Sequence, residues 1–240
     1  MKNYLYFDIG AYKGNYTKIL FSTTNINKVI CVEPNQNIIE SLKKNLSEYK
    51  NKIEIINKAV SSDKNNIDFY ICSKYDIIST CDLDWVEKSR FNVFNRSDWI
   101  KTKVNTITID ELVDLYGIPI KIKIDVEGYE LNVIKSMKKF YNCLISFEWT
   151  EEKLLDIIEI INYLFELGYN GFHIQHGGDY RYIPNTYEFI DAHQMINYLN
   201  ENCDINRYEK CGMIHCKETN SLDLKSEFFK KYEIVLKNGL

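Results

Sequence analysis

Apolar residues fall in short unbroken runs through the first two thirds of the chain, and between the runs they recur every three or four positions. The runs predict strands at 4–8, 29–33, 53–57, 67–72, 104–109, 121–125 and 143–149, with two more at 171–175 and 211–217. The helical spacing predicts helices at 14–23, 36–48, 110–116, 129–140, 152–167 and 191–200. In the second helix Ile38, Ile39, Leu42 and Leu46 share a face behind Asn35, a good capping residue. In the fifth, Thr150 is the expected cap and Glu151 and Glu152 suit the positive end of the helix. Leu154, Leu155, Ile158, Ile161 and Phe165 form its expected buried stripe before Gly168.

Strand and helix in alternation predict an α/β fold, a doubly wound and mostly parallel sheet with helices on both faces, closed by an antiparallel C-terminal strand. Val29-Ile30-Cys31-Val32 is apolar at every position, as burial on both faces requires. There is no repeat, low-complexity tract or Pro/Gly-rich linker, so residues 1–240 read as a single domain. The least regular stretch, 74–103, carries Trp85, Phe91, Phe94 and Trp99 among Lys88, Arg90, Arg96, Lys101 and Lys103. It reads either as a substrate lid or as a solvated surface loop whose aromatics plug onto the core.

Composition narrows the function classes. With 45% hydrophobic and 27% charged residues the chain is an ordinary globular protein, and a net charge of −4 gives no general attraction to nucleic acid or to an anionic membrane. No long uncharged apolar run is present and the N-terminus enters a strand at once, so a cytoplasmic protein is expected. Seven cysteines without C-x-x-C spacing read as reduced thiols; Cys211 and Cys216 are the pair closest in sequence. Cys31 and Cys143 serve as small hydrophobes in strands. His173, His176 and Asp179 do not have the spacing of one helical face, and beside Gly177-Gly178 they read as a turn feature, so no metal site is assigned there.

The candidate chemistry sits at strand ends. Asp8-Ile9-Gly10-Ala11-Tyr12-Lys13-Gly14 is a strand running into a glycine turn and a helix start, and Val32-Glu33-Pro34-Asn35 is a second strand ending in an acid. Glycine lets backbone approach a ligand, and an acid at the next strand tip can accept hydrogen bonds from both hydroxyls of a ribose. A dinucleotide fingerprint would need glycines where Tyr12 and Asn15 stand. The D-x-G-x-x-x-G form seen here, with Tyr12 in place of a middle glycine, resembles the turn of S-adenosylmethionine methyltransferases, whose cofactor has no phosphate to cradle. Further on, Thr106-Ile107-Thr108-Ile109-Asp110-Glu111-Leu112 leads to Lys123-Ile124-Asp125-Val126-Glu127-Gly128-Tyr129-Glu130, and another strand ends in Phe147-Glu148-Trp149. Asp8, Glu33, Asp125, Glu127 and Glu148 would thus gather at one sheet edge, where they repel one another unless a ligand, a cation or a catalytic duty accounts for them.

Together these pieces resemble the FkbM-type branch of class I S-adenosylmethionine-dependent methyltransferases, over about residues 8–150. The family usually carries Asn where this chain has Tyr12. The resemblance implies a Rossmann-like fold, with Asp8, Gly10, Ala11, Tyr12 and Gly14 around the methionine part of S-adenosylmethionine. It implies Glu33 and Pro34 at the ribose, and Ala59, Val60 or Ser61 bordering the adenine. Asp125 and Glu127 would face the transferring methyl, and the acceptor would be a hydroxyl on a sugar, glycan or small natural product. Such a hydroxyl needs a base, which assigns that role to Glu127 or Asp125 with Glu148 orienting the acceptor. An alternative duty for these carboxylates is to hold Mg²⁺. For Glu127 and Glu130 a plainer reading exists, an acid at a helix N-terminus. Two rival functions stay open: a non-catalytic cofactor-binding protein and a nicotinamide-dependent oxidoreductase.

Overall fold

The structure, a computed structural model, describes residues 4–63, 65–177, 187–205 and 210–219. In chain order the elements are β1 (Leu5–Ile9), α1 (Asn15–Thr23), β2 (Lys28–Val32), α2 (Ile39–Asn45), β3 (Ile53–Ile56), β4 (Ala59–Val60), β5 (Ile67–Cys72), α3 (Leu83–Lys88), β6 (Trp99–Val104), β7 (Thr106–Ile107), α4 (Ile109–Tyr116), β8 (Lys121–Ile124), α5 (Glu130–Lys135), β9 (Leu144–Thr150), α6 (Leu154–Leu167), β10 (Gly171–His176), α7 (Ala192–Asn202) and β11 (Cys211–Lys217). A seven-stranded sheet runs β3-β2-β1-β8-β9-β11-β10. It is parallel except at β11, which pairs antiparallel with both β9 and β10.

Alternation along β2 shows how both faces are covered. Val29 and Cys31 pack with Tyr16 and Leu20 of α1 and Leu42 of α2, whereas Ile30 and Val32 point the other way. There they join Leu112 of α4, Val133 of α5, Ile160 of α6 and Leu199 of α7 in the larger core. The expected doubly wound arrangement is therefore present. Strand order reverses between β1 and β8, the place where open α/β sheets bind ligands. Register aligns the strand ends there, Ile9 lying opposite both Val32 and Ile124, and Ile124 opposite Phe147.

Several local expectations need correction. The 104–109 run divides into β6 and β7, because the Asn105 carbonyl turns aside to accept the Ala59 N–H at 2.9 Å and starts a two-stranded β4–β7 ladder. The helix expected over 129–140 stops at Lys135. Ser136 Oγ there donates to the Val133 carbonyl and accepts the Ile109 N–H, side-chain bonds that compete with further helix. On α6 the buried stripe is Leu154, Ile157, Ile160, Ile161 and Leu164, while Leu155 and Phe165 are 68% and 55% exposed. Thr150 makes no capping bond. Glu151 instead accepts the backbone N–H of Lys210, and Glu152 takes a two-pronged ion pair from Arg90.

All seven cysteines are free thiols, with Cys31 and Cys143 buried as expected. His176 Nε2 meets the Tyr198 hydroxyl at 2.9 Å and His173 Nδ1 meets the Glu188 backbone, so both have structural partners. Gly178 and Asp179 lie outside the described residues. Among the described residues no helix is long and apolar enough to cross a membrane.

Candidate active site

A cleft of about 980 Å³, its open mouth included, lies over the carboxyl ends of β1, β2 and β8. Its floor is the glycine turn after β1. Gly10 has φ +76° and a side chain there would stand 1.8 Å from the Asp125 carbonyl oxygen, so this crossing of two loops needs glycine. Tyr12 follows in the same left-handed region, at φ +48°, a strain of about 1–2 kcal/mol for a residue with a Cβ. Two hydrogen bonds at its ends hold it there. Its N–H donates to Glu33 Oε2 at 2.9 Å and its hydroxyl donates to Asp76.

Glu33 closes one side. Oε1 accepts the Asn35 N–H at 2.8 Å, so each carboxylate oxygen is fixed by one backbone donor and keeps a lone pair for the cleft. Burial pushes its pKa up to about 7, against the pull of those two N–H groups. Around it Pro34, Ile38, Ala59, Val60, Phe69 and Ile77 make a mostly apolar wall suited to a flat heterocycle.

Three acids close the other side. Asp125 and Glu127 follow β8, and Glu148 lies within β9 rather than at its end, one residue past Phe147 where pairing with β8 stops; one oxygen of each lies within 4.8 Å of the others. Glu127 has φ +57° and stands outside α5, so the helix-terminus reading fails for it. That reading holds for Glu130, in the first turn, whose Oε1 accepts the Val126 N–H at 2.9 Å. Glu148 Oε2 is buried without a hydrogen-bond partner. Burial and the surrounding carboxylates raise Glu127 and Glu148 well above the usual carboxylate range.

Beneath the acids lies Lys123, which the sequence reading passed over. Its Nζ is 3.2 Å from Asp125 Oδ2, 3.4 Å from Asp8 Oδ1 and 3.3 Å from the Gly10 carbonyl. Burial opposes its charge, but the two carboxylates outweigh burial and hold its pKa above the ordinary lysine value. A lysine pointing into an apolar strand in register with an acid is the signal that could have found it.

Ten of the expected site residues line the cleft: Gly10, Ala11, Tyr12, Glu33, Pro34, Ala59, Val60, Asp125, Glu127 and Glu148. Three do not. Asp8 is 0% exposed under the floor, bonded to Thr17 Oγ1 at 2.6 Å and paired with Lys123. Gly14 sits at the start of α1 close against Leu42 and Leu46, where a side chain would approach to 2.8 Å. Ser61 is 0% exposed and bonds the Tyr129 hydroxyl, which puts Tyr129 rather than Ser61 at the wall.

The 74–103 segment is folded: it holds the β5–β6 connection with α3 and most of β6 itself. It gives the cleft Asp76, Ile77, Ser79 and Cys81. Its cations are committed to carboxylates: Lys88 to Asp84, Arg90 to Glu152, Arg96 to Glu87, and Lys101 and Lys103 to Asp68. Within the cleft the segment contributes those four residues and none of these cations. Trp85 is buried, edge-on to Phe91 and against Gly128.

A mostly parallel sheet with glycine turn, strand-tip acid and acid trio at its switch point is the Rossmann-like fold of class I methyltransferases. A model of the methyltransferase FkbM domain matches residues 8–170, and the chain belongs to that family. Among solved structures, a methyltransferase FkbM from Methylobacillus flagellatus shares 16% identity at a TM-score of 0.46, over 89% of this chain and 43% of its own length. This chain therefore spans less than half of that protein. A precorrin-6y C5,15-methyltransferase from Geobacter metallireducens shares 11% at 0.45, over 90% and 80%. A ribosomal protein L11 methylase from Lactobacillus delbrueckii shares 11% at 0.40, over 91% and 72%. No curated protein matches the chain.

Proposed function

We propose that this chain is an S-adenosylmethionine-dependent O-methyltransferase acting on a hydroxyl of a sugar, a glycan or a small natural product. The observation that carries the reading is the acid trio, with its unpartnered Glu148 oxygen, at the opposite end of one cleft from Glu33. The residues present fit that cofactor: an apolar wall for the adenine, Glu33 lone pairs for the ribose hydroxyls, and negative charge beside a cationic centre. The bound cofactor supplies an electrophilic methyl on a sulfonium.

The chain's own part is alignment and proton transfer. Gly10 and Ala11 shape the floor with their N–H groups held by the Val32 carbonyl, and Lys123 fixes Asp125. Glu127, whose proton affinity is raised by burial and by Asp125 and Glu130, takes the acceptor hydroxyl proton. Glu148 orients the acceptor through its unpartnered oxygen. Phe69 and Ile77 line the cleft as part of the apolar wall.

Titration calorimetry with S-adenosylmethionine, S-adenosylhomocysteine and NAD tests the cofactor. The expected result is micromolar binding of the first two and none of NAD; silence from both overturns the reading, and NAD binding alone returns the oxidoreductase. Methyl-label transfer to a panel of sugars and small alcohols then tests the chemistry. Tight cofactor binding with no transfer to any acceptor favours the non-catalytic reading. Turnover that persists in EDTA assigns the trio to proton transfer, and turnover that requires added Mg²⁺ assigns it to the cation.

A further inference from the structure

One polar knot at the rim of the cleft has no part in the scheme above. Tyr12, strained at φ +48°, sends its hydroxyl to Asp76 Oδ1. Lys13 Nζ stands 2.7 Å from that same hydroxyl oxygen and 2.9 Å from Asp76 Oδ2. Asp76 opens the short 3-10 turn Asp76–Ile78 in the β5–β6 connection, and Tyr12, Asp76, Ile77 and Ser79 all face the cleft. Ser79 Oγ donates to the Asp76 carbonyl at 2.7 Å and accepts the Cys72 N–H, which makes the turn a stiff unit on the end of β5.

Tyr12 therefore joins two walls. Its backbone N–H holds Glu33 and its side chain holds Asp76, so the strand-tip acid and the covering turn are linked through one residue. Elsewhere the connection is held to β5 by the two-way Tyr70–Thr80 backbone pair, and further along by Arg90 to Glu152 and by Asp82 to Lys153 at the start of α6. None of these ties touches the glycine turn. The Lys13–Asp76 pair, with side chains 33% and 37% exposed, is weak alone, so the shared phenol is what makes the contact specific.

We propose that Tyr12, Lys13 and Asp76 form a latch that seats the Asp76–Ile78 turn over the nucleoside end of the cleft, so that cofactor exchange requires the latch to open. Asp76 is a positioning residue, acting through Tyr12 and the turn it belongs to. The exchange of cofactor rests on the reading under Proposed function; the latch itself does not. Lids of this kind commonly set release rates in enzymes that enclose their ligand.

The test uses Tyr12→Phe, Asp76→Ala and Asp76→Asn in the full chain. Without ligand, amide hydrogen exchange of a peptide covering 74–81 should quicken about tenfold in the first two variants, as loss of one charge-assisted bond implies, with β1 amides unchanged. With S-adenosylhomocysteine, stopped-flow dissociation should quicken about tenfold while association changes little, and Asp76→Asn, which keeps an acceptor for the phenol, should fall between. Exchange unchanged in both variants overturns the latch. Faster exchange with parental dissociation rates overturns its role in capture. A parent chain that binds neither cofactor form overturns the cofactor reading, and the ligand-free exchange then decides the latch by itself.

Discussion

The two ends of the cleft are built on opposite terms. At one end Glu33 gives each oxygen a backbone N–H, and Asn57 Nδ2 pins the Glu33 and Pro34 carbonyls at 2.8 and 3.1 Å. At the other end Asp125, Glu127 and Glu148 crowd within 4.8 Å, and one Glu148 oxygen has no partner. A satisfied acid is a rigid recognition element, because its geometry exists before the ligand arrives. An unsatisfied, repelling set stores an unfavourable arrangement that a cationic ligand and a proton acceptor relieve. On the proposed function the difference separates a site for holding from a site for reacting, although both are made of carboxylates on the same sheet.

The largest expected effect lies at the reacting end. Glu127→Gln keeps the shape and removes the base, so turnover should fall about 10²- to 10⁴-fold while calorimetric affinity for S-adenosylhomocysteine stays near that of the parent. Full turnover in this variant would remove Glu127 from proton transfer and from cation binding together. At the holding end the pattern inverts. Glu33→Ala strands the Tyr12 and Asn35 N–H groups and removes the ribose acceptor, so cofactor binding should weaken by about 1–3 kcal/mol. An unchanged dissociation constant would place the ribose elsewhere.

The holding end was the more legible of the two in sequence, because its parts are local. A strand, a glycine turn and a strand-tip acid lie within 8–35, and the structure brings Gly10, Tyr12 and Glu33 to one cleft. Asp125 and Glu127 were legible for the same reason. What stayed hidden depends on distant chain. Asp76 reaches Tyr12 across 64 residues, and Lys123 acquires its meaning from Asp8 on the neighbouring strand. The α6 stripe was misread because that helix is apolar on more than one face, so periodicity alone could not choose between Leu155 with Phe165 and Ile157 with Ile160. The division of the 104–109 run came from Ala59, a partner no local pattern announces.

The smallest effect is on stability, and it sharpens the contrast through pH. An ordinary Glu releases its proton near pH 4.5, whereas Glu33 and Glu130 in the fold release theirs near 7 and Glu127 and Glu148 are also raised by burial. Between those values the folded chain holds protons that the unfolded chain has lost. These glutamates therefore lower stability as pH rises from about 4.5 through 7, against the opposite contribution of buried His173, His176 and His215, whose lowered proton affinity raises stability up to about pH 6.5. Glu148→Gln removes one of these charges and gives the unpartnered position an amide able to donate to the adjacent carboxylates. Denaturant unfolding should therefore find the variant ~1–2 kcal/mol more stable than the parent at pH 8, converging with it below about pH 4.5. A variant less stable than the parent at pH 8 would mean that Glu148 is already satisfied in solution, and the distinction between the holding and reacting ends would then rest on Asp125 and Glu127 alone.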